Sequence, residues 1–237
     1  MFDEFVLAAS TADLSVADQA ASHADAIEFR MDLAEDPRAQ LGEYDGALPV
    51  IATNRADWEG GQADSLARYD ELATAVSHNA VTAVDIELAA LQGTAPPPEA
   101  ERARSLRDAA QKADVSVIAS VHDFESTPAV VELTELLADA ANAGDIAKLA
   151  TTATSRDDAL AILQATHTAS LAGHSVATMG MGEAGRHTRA IAPLYGSRIG
   201  YAPVDPESAT APGQYPLREL AALVDSLESD SQPVSED

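Results

Sequence analysis

The sequence of 237 residues contains no cysteine, and only two of its 14 basic residues are lysine. Without cysteine, the chain cannot form disulfides, thiolate metal sites or a cysteine nucleophile. Aromatic residues make up 4% of the chain. No apolar run approaches the ~18–20 residues that a membrane-spanning helix needs. The first ten residues, MFDEFVLAAS, also lack the basic region of a secretory signal. We therefore expect a cytoplasmic protein.

The charge of the chain is strongly negative, because 39 acidic residues face 14 basic ones and give a net charge of −25. Such a chain repels nucleic acid and anionic membranes, so neither is an expected partner. Abundant acidic residues with so little lysine predict a salt-adapted protein, since salt screens self-repulsion to within about 3 Å at 1 M. An ordinary acidic protein is the alternative, but acidity alone does not account for the scarcity of lysine.

Eight short apolar or β-branched runs predict buried parallel strands. They are 5–10, 26–32, 49–55, 82–88, 115–124, 144–150, 174–180 and 197–203. Segments with helical periodicity separate them at a repeat of roughly 20–34 residues. They predict helices over 15–24, 64–80, 98–113, 128–142, 156–169, 185–195 and 216–228, with a less regular segment at 33–47. Over residues 1–228 this alternation predicts an α/β fold, a single (β/α)8 TIM barrel. An open doubly wound sheet is the alternative, but a count of eight favours closure. Residues 229–237 are acidic and lack a core pattern, which predicts a disordered tail.

Charged side chains end most of the predicted strands, where the active site of such a barrel lies. Buried charges are costly unless they pair, so ion pairs at the barrel mouth would explain any one of them. Their presence at so many strand ends together favours a functional site instead. The residues concerned are Glu28, Arg30, Asp32, Arg55, Glu59, Asp85, Glu87, His122, Asp123, Lys148 and Arg189.

Lys148 and His122 are the two side chains in this set that suit chemistry best. Lys148 lies inside an apolar run of a chain that otherwise uses arginine, so charge alone does not explain a lysine there. An amine can lose its proton and attack a carbonyl, which predicts a Schiff-base nucleophile. A lysine that extends from a strand end into solvent is the alternative. His122 suits proton transfer in both directions, because an unperturbed imidazole has a pKa near 6.5.

Two further patterns do not lead to a predicted site. Residues 180–185, GMGEAG, match the G-x-G-x-x-G motif of dinucleotide-binding proteins. The motif belongs to the seventh βα unit, and the acidic residue that follows it, Asp205, lies in a proline-rich loop. We therefore expect no dinucleotide. Glu183 and His187 are only two possible ligands, so we also expect no metal.

The order of the motifs along the chain resembles type I 3-dehydroquinate dehydratase of the shikimate pathway. The motifs are EFRMDL (28–33), TNRADWEGG (53–61), VDIEL (84–88), SVHDF followed by TP (120–128), DIAKLA (145–150), MGMGEAGRHTR (179–189), YGSRIGYA (195–202) and ATAPGQ (209–214). This resemblance covers nearly the whole chain. It implies a (β/α)8 barrel that dehydrates 3-dehydroquinate through an imine, works as a homodimer and needs no metal or organic cofactor.

The resemblance also implies roles for individual residues. Lys148 condenses with the C3 ketone, His122 moves the protons, and Glu59 supports the histidine. The residues implied to bind substrate are Glu28, Arg30, Arg55, Arg189, Thr210 and Gln214, of which Thr210 stands where the family commonly has serine. Ser10 is a further candidate for a hydroxyl contact. Thr210 and Gln214 belong to a proline-rich loop, 202–214, that we expect to act as a lid.

Two other functions remain open at this stage. Another imine-forming lyase or aldolase on the same barrel would keep Lys148 but would not require Arg189 together with Gln214. A non-catalytic barrel that binds a carboxylate would not need a lysine specifically, and arginine would serve it equally well.

Overall fold

The fold is built around eight parallel strands. The computed structural model describes residues 2–64, 66–96, 98–205 and 213–229. The strands in these ranges are β1 (Val6–Thr11), β2 (Ala26–Arg30), β3 (Val50–Thr53), β4 (Val81–Glu87), β5 (Ser116–Asp123), β6 (Ile146–Thr152), β7 (Val176–Met181) and β8 (Ile199–Pro203). Each overlaps one of the eight apolar runs, because strands buried on both faces are nearly continuous apolar segments.

The strands close into a barrel in sequence order. Hydrogen-bonded neighbours run β7-β6-β5-β4-β3-β2-β1-β8, and every ladder is parallel. The remaining gap between β7 and β8 is narrow: Val176 forms a bridge with Ser197, and its carbonyl accepts the Arg198 N–H at 2.6 Å. This order confirms the single (β/α)8 barrel and rules out the open doubly wound sheet, in which strand order reverses.

Helices connect the strands on the outside of the barrel. Those in the described ranges are α1 (Ala17–Ala20), α2 (Pro37–Glu43), α3 (Ala67–Ala75), α4 (Leu88–Gln92), α5 (Glu99–Lys112), α6 (Val130–Ala143), α7 (Arg156–Leu171), α8 (Gly182–Gly185), α9 (Thr188–Ile191) and α10 (Leu217–Ser229). None of them is long and apolar enough to cross a membrane. Because α10 includes Ser229, the helical part extends one residue past the predicted boundary; residues 230–237 of the predicted tail lie outside the described ranges.

The glycines of GMGEAG have a packing role in the turn after β7. A Cβ atom on Gly180 would lie 2.8 Å from the Cα atom of Gly185, and Gly182 has a φ of 78°. Gly213 approaches the same turn so closely that a Cβ atom there would lie 2.5 Å from the Gly182 carbonyl oxygen. The spacing of these glycines therefore follows from close backbone contact.

The barrel interior changes from apolar to polar along its axis, and this change positions the site. Side chains that point inward near the amino ends of the strands are apolar; they include Val6, Ile51, Ile118, Ile146 and Ile199. Two residues later, the same face of several strands carries a polar side chain, since alternate residues share a face. These polar positions include Thr53, Ser120 and Lys148, all buried. The barrel interior is thus polar at the carboxyl ends of the strands and apolar nearer their amino ends.

Candidate active site

A cavity at the carboxyl ends of the strands is lined by almost every residue that was predicted to belong to the site. It is lined by Glu28, Arg30, Thr53, Arg55, Glu59, Gly60, His122, Phe124, Lys148, Ala150, Met179, Met181, Arg189, Tyr201 and Gln214. Eight of the nine predicted site residues are in this set. The ninth, Thr210, lies outside the described residues, as does the middle of the predicted lid, 206–212.

Lys148 lies on the floor of the cavity, with its side chain 6% exposed. Its Nζ atom is 2.9 Å from Asp85 Oδ2 and 3.4 Å from Glu28 Oε1, and it stands 4.3 Å from the centre of the Tyr201 ring. The prediction that it ends its strand is wrong, because β6 continues to Thr152. The alternative of a lysine that extends into solvent is also wrong, because the amine is buried against Asp85 in the barrel interior.

Arg55 links the charged groups beneath the cavity. It lies two residues past the end of β3, not within the strand as predicted, and its Nη2 atom is 2.8 Å from Asp85 Oδ1. Its Nη1 atom is 2.7 Å from Ser120 Oγ and 3.2 Å from both Glu59 and Glu87. Burial alone would raise the pKa of Asp85, but Arg55 and Lys148 outweigh it and hold that pKa below its usual range. Asp85 is therefore a permanent counter-charge.

His122 and Glu59 form a hydrogen-bonded pair at the cavity wall, with Nδ1 of the ring 3.0 Å from Glu59 Oε2. Burial, together with the nearby Arg55 and Lys148 charges, lowers the pKa of His122 well below its ordinary value. Burial raises the pKa of Glu59 to about 8, although Arg55 opposes the rise. The imidazole is therefore neutral near pH 7, the state in which it can accept a proton.

Arg189 is a buried cation that has two nitrogens without a partner among the described residues. It lies in the short helix α9 and is 4% exposed, and its Nε and Nη2 atoms have no hydrogen-bond partner among the described residues. Burial lowers its pKa to about 10. Arg30 differs, because Asp32 binds its Nε and Nη2 atoms at 2.9 and 2.7 Å. Arg189 is thus the group in the cavity best prepared to receive an anionic ligand.

Some residues of the site were not anticipated from the sequence. Tyr201 is 3% exposed, and its hydroxyl has no partner among the described residues although its ring faces Lys148. Alternation along the strand could have predicted that Tyr201 points inward, since it follows the inward-facing Ile199 by two residues on β8. Ser10, the further candidate for a substrate contact, instead donates its hydroxyl to Glu28, which also accepts from Thr53 at 3.2 Å.

The described residues thus form a nearly closed (β/α)8 barrel whose cavity holds a buried lysine, a histidine–carboxylate pair and an arginine with two unpartnered nitrogens. Residues 6–231 match the model of the type I 3-dehydroquinase family. The chain belongs to the type I 3-dehydroquinase family, which confirms the resemblance found in the motifs.

Relatives with the same family name are similar over nearly their whole length. The 3-dehydroquinate dehydratase of Haloarcula marismortui is 53% identical over 97% of this chain and 99% of its own, and that of Halobacterium salinarum is 52% identical over 96% and 99%. The crystal structure of 3-dehydroquinate dehydratase from Geobacillus kaustophilus is 27% identical, with a TM-score of 0.84 over 97% of this chain and 93% of that one. The halophilic relatives support the predicted salt adaptation.

Proposed function

We propose that the protein is a 3-dehydroquinate dehydratase that converts 3-dehydroquinate to 3-dehydroshikimate and water, a step of the shikimate pathway and so of aromatic amino-acid biosynthesis. The observation that carries this function is the place of Lys148. Its amine faces a cavity that also holds the neutral imidazole of His122 and Arg189, whose Nε and Nη2 atoms have no partner among the described residues. A carbonyl compound with a carboxylate fits these three groups, and family membership supplies the substrate class.

The reaction starts with the Lys148 amine. Nζ adds to the C3 ketone and water leaves, which produces a protonated imine. This cation withdraws electrons from the adjacent carbon and makes its C–H bond acidic. Asp85, 2.9 Å from Nζ, stays ionised beside it and stabilises the positive nitrogen.

His122 then moves the proton that the elimination requires. Its Nε2 atom accepts a proton from C2, and the electron pair passes into the imine as an enamine. The enamine returns its electrons to expel the C1 hydroxyl, which leaves as water after receiving the proton from His122. Hydrolysis of the imine consumes the water released on condensation, so the net loss is one water from the substrate.

The remaining polar residues hold the substrate. Arg189 binds the carboxylate through its two unpaired nitrogens. Glu28 and Arg30, which share one face of β2, bind hydroxyl groups, and Arg55 holds Glu59 beside His122. Gln214 lines the cavity, and we propose that it closes over the substrate with Thr210.

Borohydride trapping with 3-dehydroquinate tests this function against the two alternatives. A reduced adduct on Lys148, found by mass spectrometry, together with formation of dehydroshikimate supports the dehydratase. An adduct on Lys148 without any dehydration points to a different imine-forming lyase or aldolase. Binding without an adduct points to a carboxylate-binding barrel.

We also propose that the enzyme is a cytoplasmic homodimer. Val131 and Leu160 are 68% and 63% exposed on helices α6 and α7, which pack against each other. A contiguous patch of exposed apolar side chains marks an interface, and we propose that these two belong to such a patch. Light scattering in concentrated salt should give a molar mass twice that of the chain, and cell fractionation tests the location.

Replacement of Arg189 by methionine should weaken substrate binding. We expect KM for 3-dehydroquinate to rise about a hundredfold, equivalent to ~2.7 kcal/mol, because the carboxylate loses a charged hydrogen-bonding partner. The variant should unfold at the same temperature or higher, since an unpaired buried charge is removed. Steady-state kinetics and thermal unfolding measure the two effects. The exposed Arg156, replaced in the same way, is the control, and an unchanged KM in R189M would contradict the role.

The pH dependence of kcat/KM should reflect the protonation of the Glu59–His122 pair. Above about pH 8 the ionised Glu59 accepts the Nδ1–H bond and leaves Nε2 free. As the pH falls through that value the carboxyl takes up a proton, so kcat/KM should decrease on the acid side. In Glu59→Gln the amide oxygen accepts the bond without titrating, and this acid limb should disappear. The exposed Glu101→Gln is the control. If the limb persists in E59Q, it belongs to a group other than Glu59, because glutamine does not titrate.

A further inference from the structure

A further buried arginine lies behind the site, in a helix outside the barrel. Arg68 belongs to α3 and is 2% exposed. Its Nη1 atom donates to Glu87 Oε2 at 2.9 Å and to the Asn54 carbonyl at 3.3 Å. Its Nη2 atom donates to Glu99 Oε2 at 2.7 Å and contacts the Tyr69 hydroxyl at 2.6 Å. Both Nη atoms of this guanidinium are thus directed at fixed partners.

Glu87 connects Arg68 to the active-site side of the barrel wall. It is the last residue of β4 and is 1% exposed. While Oε2 accepts from Arg68, Oε1 accepts from Arg55 Nη1 at 3.2 Å and from the Ala56 N–H at 3.0 Å. Arg68 and Glu87 therefore hold, from behind, the loop that carries Arg55.

The Nη1 atom of Arg55 is shared between two carboxylates, while Nη2 contacts a third, Asp85, at 2.8 Å. Its Nη1 nitrogen has two hydrogens, but three acceptors surround it: Ser120 Oγ at 2.7 Å and Glu59 and Glu87 at 3.2 Å each. Glu59 and Glu87 thus compete for one nitrogen. The positive charge of Arg68 balances Glu87, so that Arg55 remains available to Glu59.

We propose that Arg68 is a positioning residue for the reaction: by neutralising Glu87 it keeps Arg55 on Glu59 and so controls the protonation of the Glu59–His122 pair. This inference rests on the proposed dehydratase function. The group that it acts on is Glu59. The titratable and charged groups around Glu59 are Arg55 after β3, Asp85 and Glu87 on β4, His122 on β5 and Lys148 on β6. Arg68 itself faces Glu87, Tyr69 and Glu99.

The charges around Glu59 give the direction of the effect. Burial raises the pKa of Glu59, Arg55 lowers it, and Glu87 raises it. Without Arg68, Glu87 keeps a single cationic partner and attracts Arg55 away from Glu59. Both changes favour the protonated carboxyl, so the acid limb of kcat/KM moves to higher pH.

Arg68→Met tests the inference through this limb. In concentrated KCl we expect the limb to move up by about half a pH unit or more, because buried charges are screened less than exposed ones. Glu87→Gln removes the competing charge and should move the limb down. The double variant R68M/E87Q should return it toward the wild-type position. Arg102→Met is the matched control: Arg102 also joins α5 to α3, through Asp70 at 2.9 Å, but its side chain is 49% exposed.

The outcomes separate a positioning role from a structural one. If R68M lowers kcat at every pH and leaves the limb in place, Arg68 only supports the fold and the inference is wrong. If R68M does not fold, E87Q decides, since a limb that stays at its wild-type position in E87Q also overturns the inference. A wild-type enzyme that does not dehydrate 3-dehydroquinate contradicts the proposed function instead.

Discussion

Replacing Lys148 by alanine is expected to abolish turnover while the barrel still folds. The amine is the covalent partner of the substrate, and loss of a nucleophile usually lowers kcat by several orders of magnitude. Asp85 does not lose all its counter-charge, because Arg55 stays 2.8 Å from it. Lys148→Arg should be just as inactive, although it keeps the positive charge, since a guanidinium does not form the imine.

The measurement is formation of the conjugated product, followed by its ultraviolet absorbance, with circular dichroism as the test of folding. Lys112→Ala is the matched control, because Lys112 is the other lysine of the chain and lies at the end of α5. If K148A keeps more than about a hundredth of wild-type activity, the imine mechanism is wrong for this protein. Full activity in K148R would favour a role for charge alone.

Replacing His122 by alanine should separate imine formation from elimination. Lys148 still condenses with the ketone, but the base that removes the C2 proton is missing, so kcat should fall by about 10²–10⁴. Borohydride should then trap an adduct that still contains the C1 hydroxyl, one water heavier than the adduct of the dehydrated product. Mass spectrometry of the modified Lys148 peptide distinguishes the two.

The exposed His23 provides the control for this variant, since its replacement by alanine changes no group of the cavity. A dehydrated adduct formed at the wild-type rate in H122A would assign the proton transfers to another residue. Failure to trap any adduct would instead mean that His122 is needed before the imine forms.

The strands could be predicted from the sequence, but several helices could not. Buried parallel strands are short, continuous apolar runs, and these are visible without knowledge of their neighbours. The helix expected at 185–195 is instead two short helices, α8 and α9, followed by a 3₁₀ turn at Ala192–Tyr195. Close packing of Gly180 on Gly185 and the proline at position 193 interrupt it. The short helix α4 after β4 was not anticipated.

Alternation along the strands accounts for four of the nine predicted site residues, Glu28, Arg30, His122 and Lys148. Glu28 and Arg30, two residues apart on β2, both line the cavity, and Ser120 and His122 follow the same rule on β5. The buried position of Arg68 was not anticipated, because the sequence of α3 has the periodicity of an ordinary surface helix. Its partner Glu87 lies 19 residues away, across the wall of the barrel.

The sequence by itself determined the fold class, the family and which side chains can carry chemistry, because these follow from local periodicity and from the order of residue types along one chain. Only the tertiary structure decided the state of those side chains. Lys148 meets Asp85 across 63 residues, and Arg55 meets Ser120 across 65. Burial with the Arg55 and Lys148 charges lowers the pKa of His122, and burial raises the pKa of Glu59 although Arg55 opposes it. The protonation states of the site, and with them its pH dependence, therefore arise from distances that no segment of the chain contains.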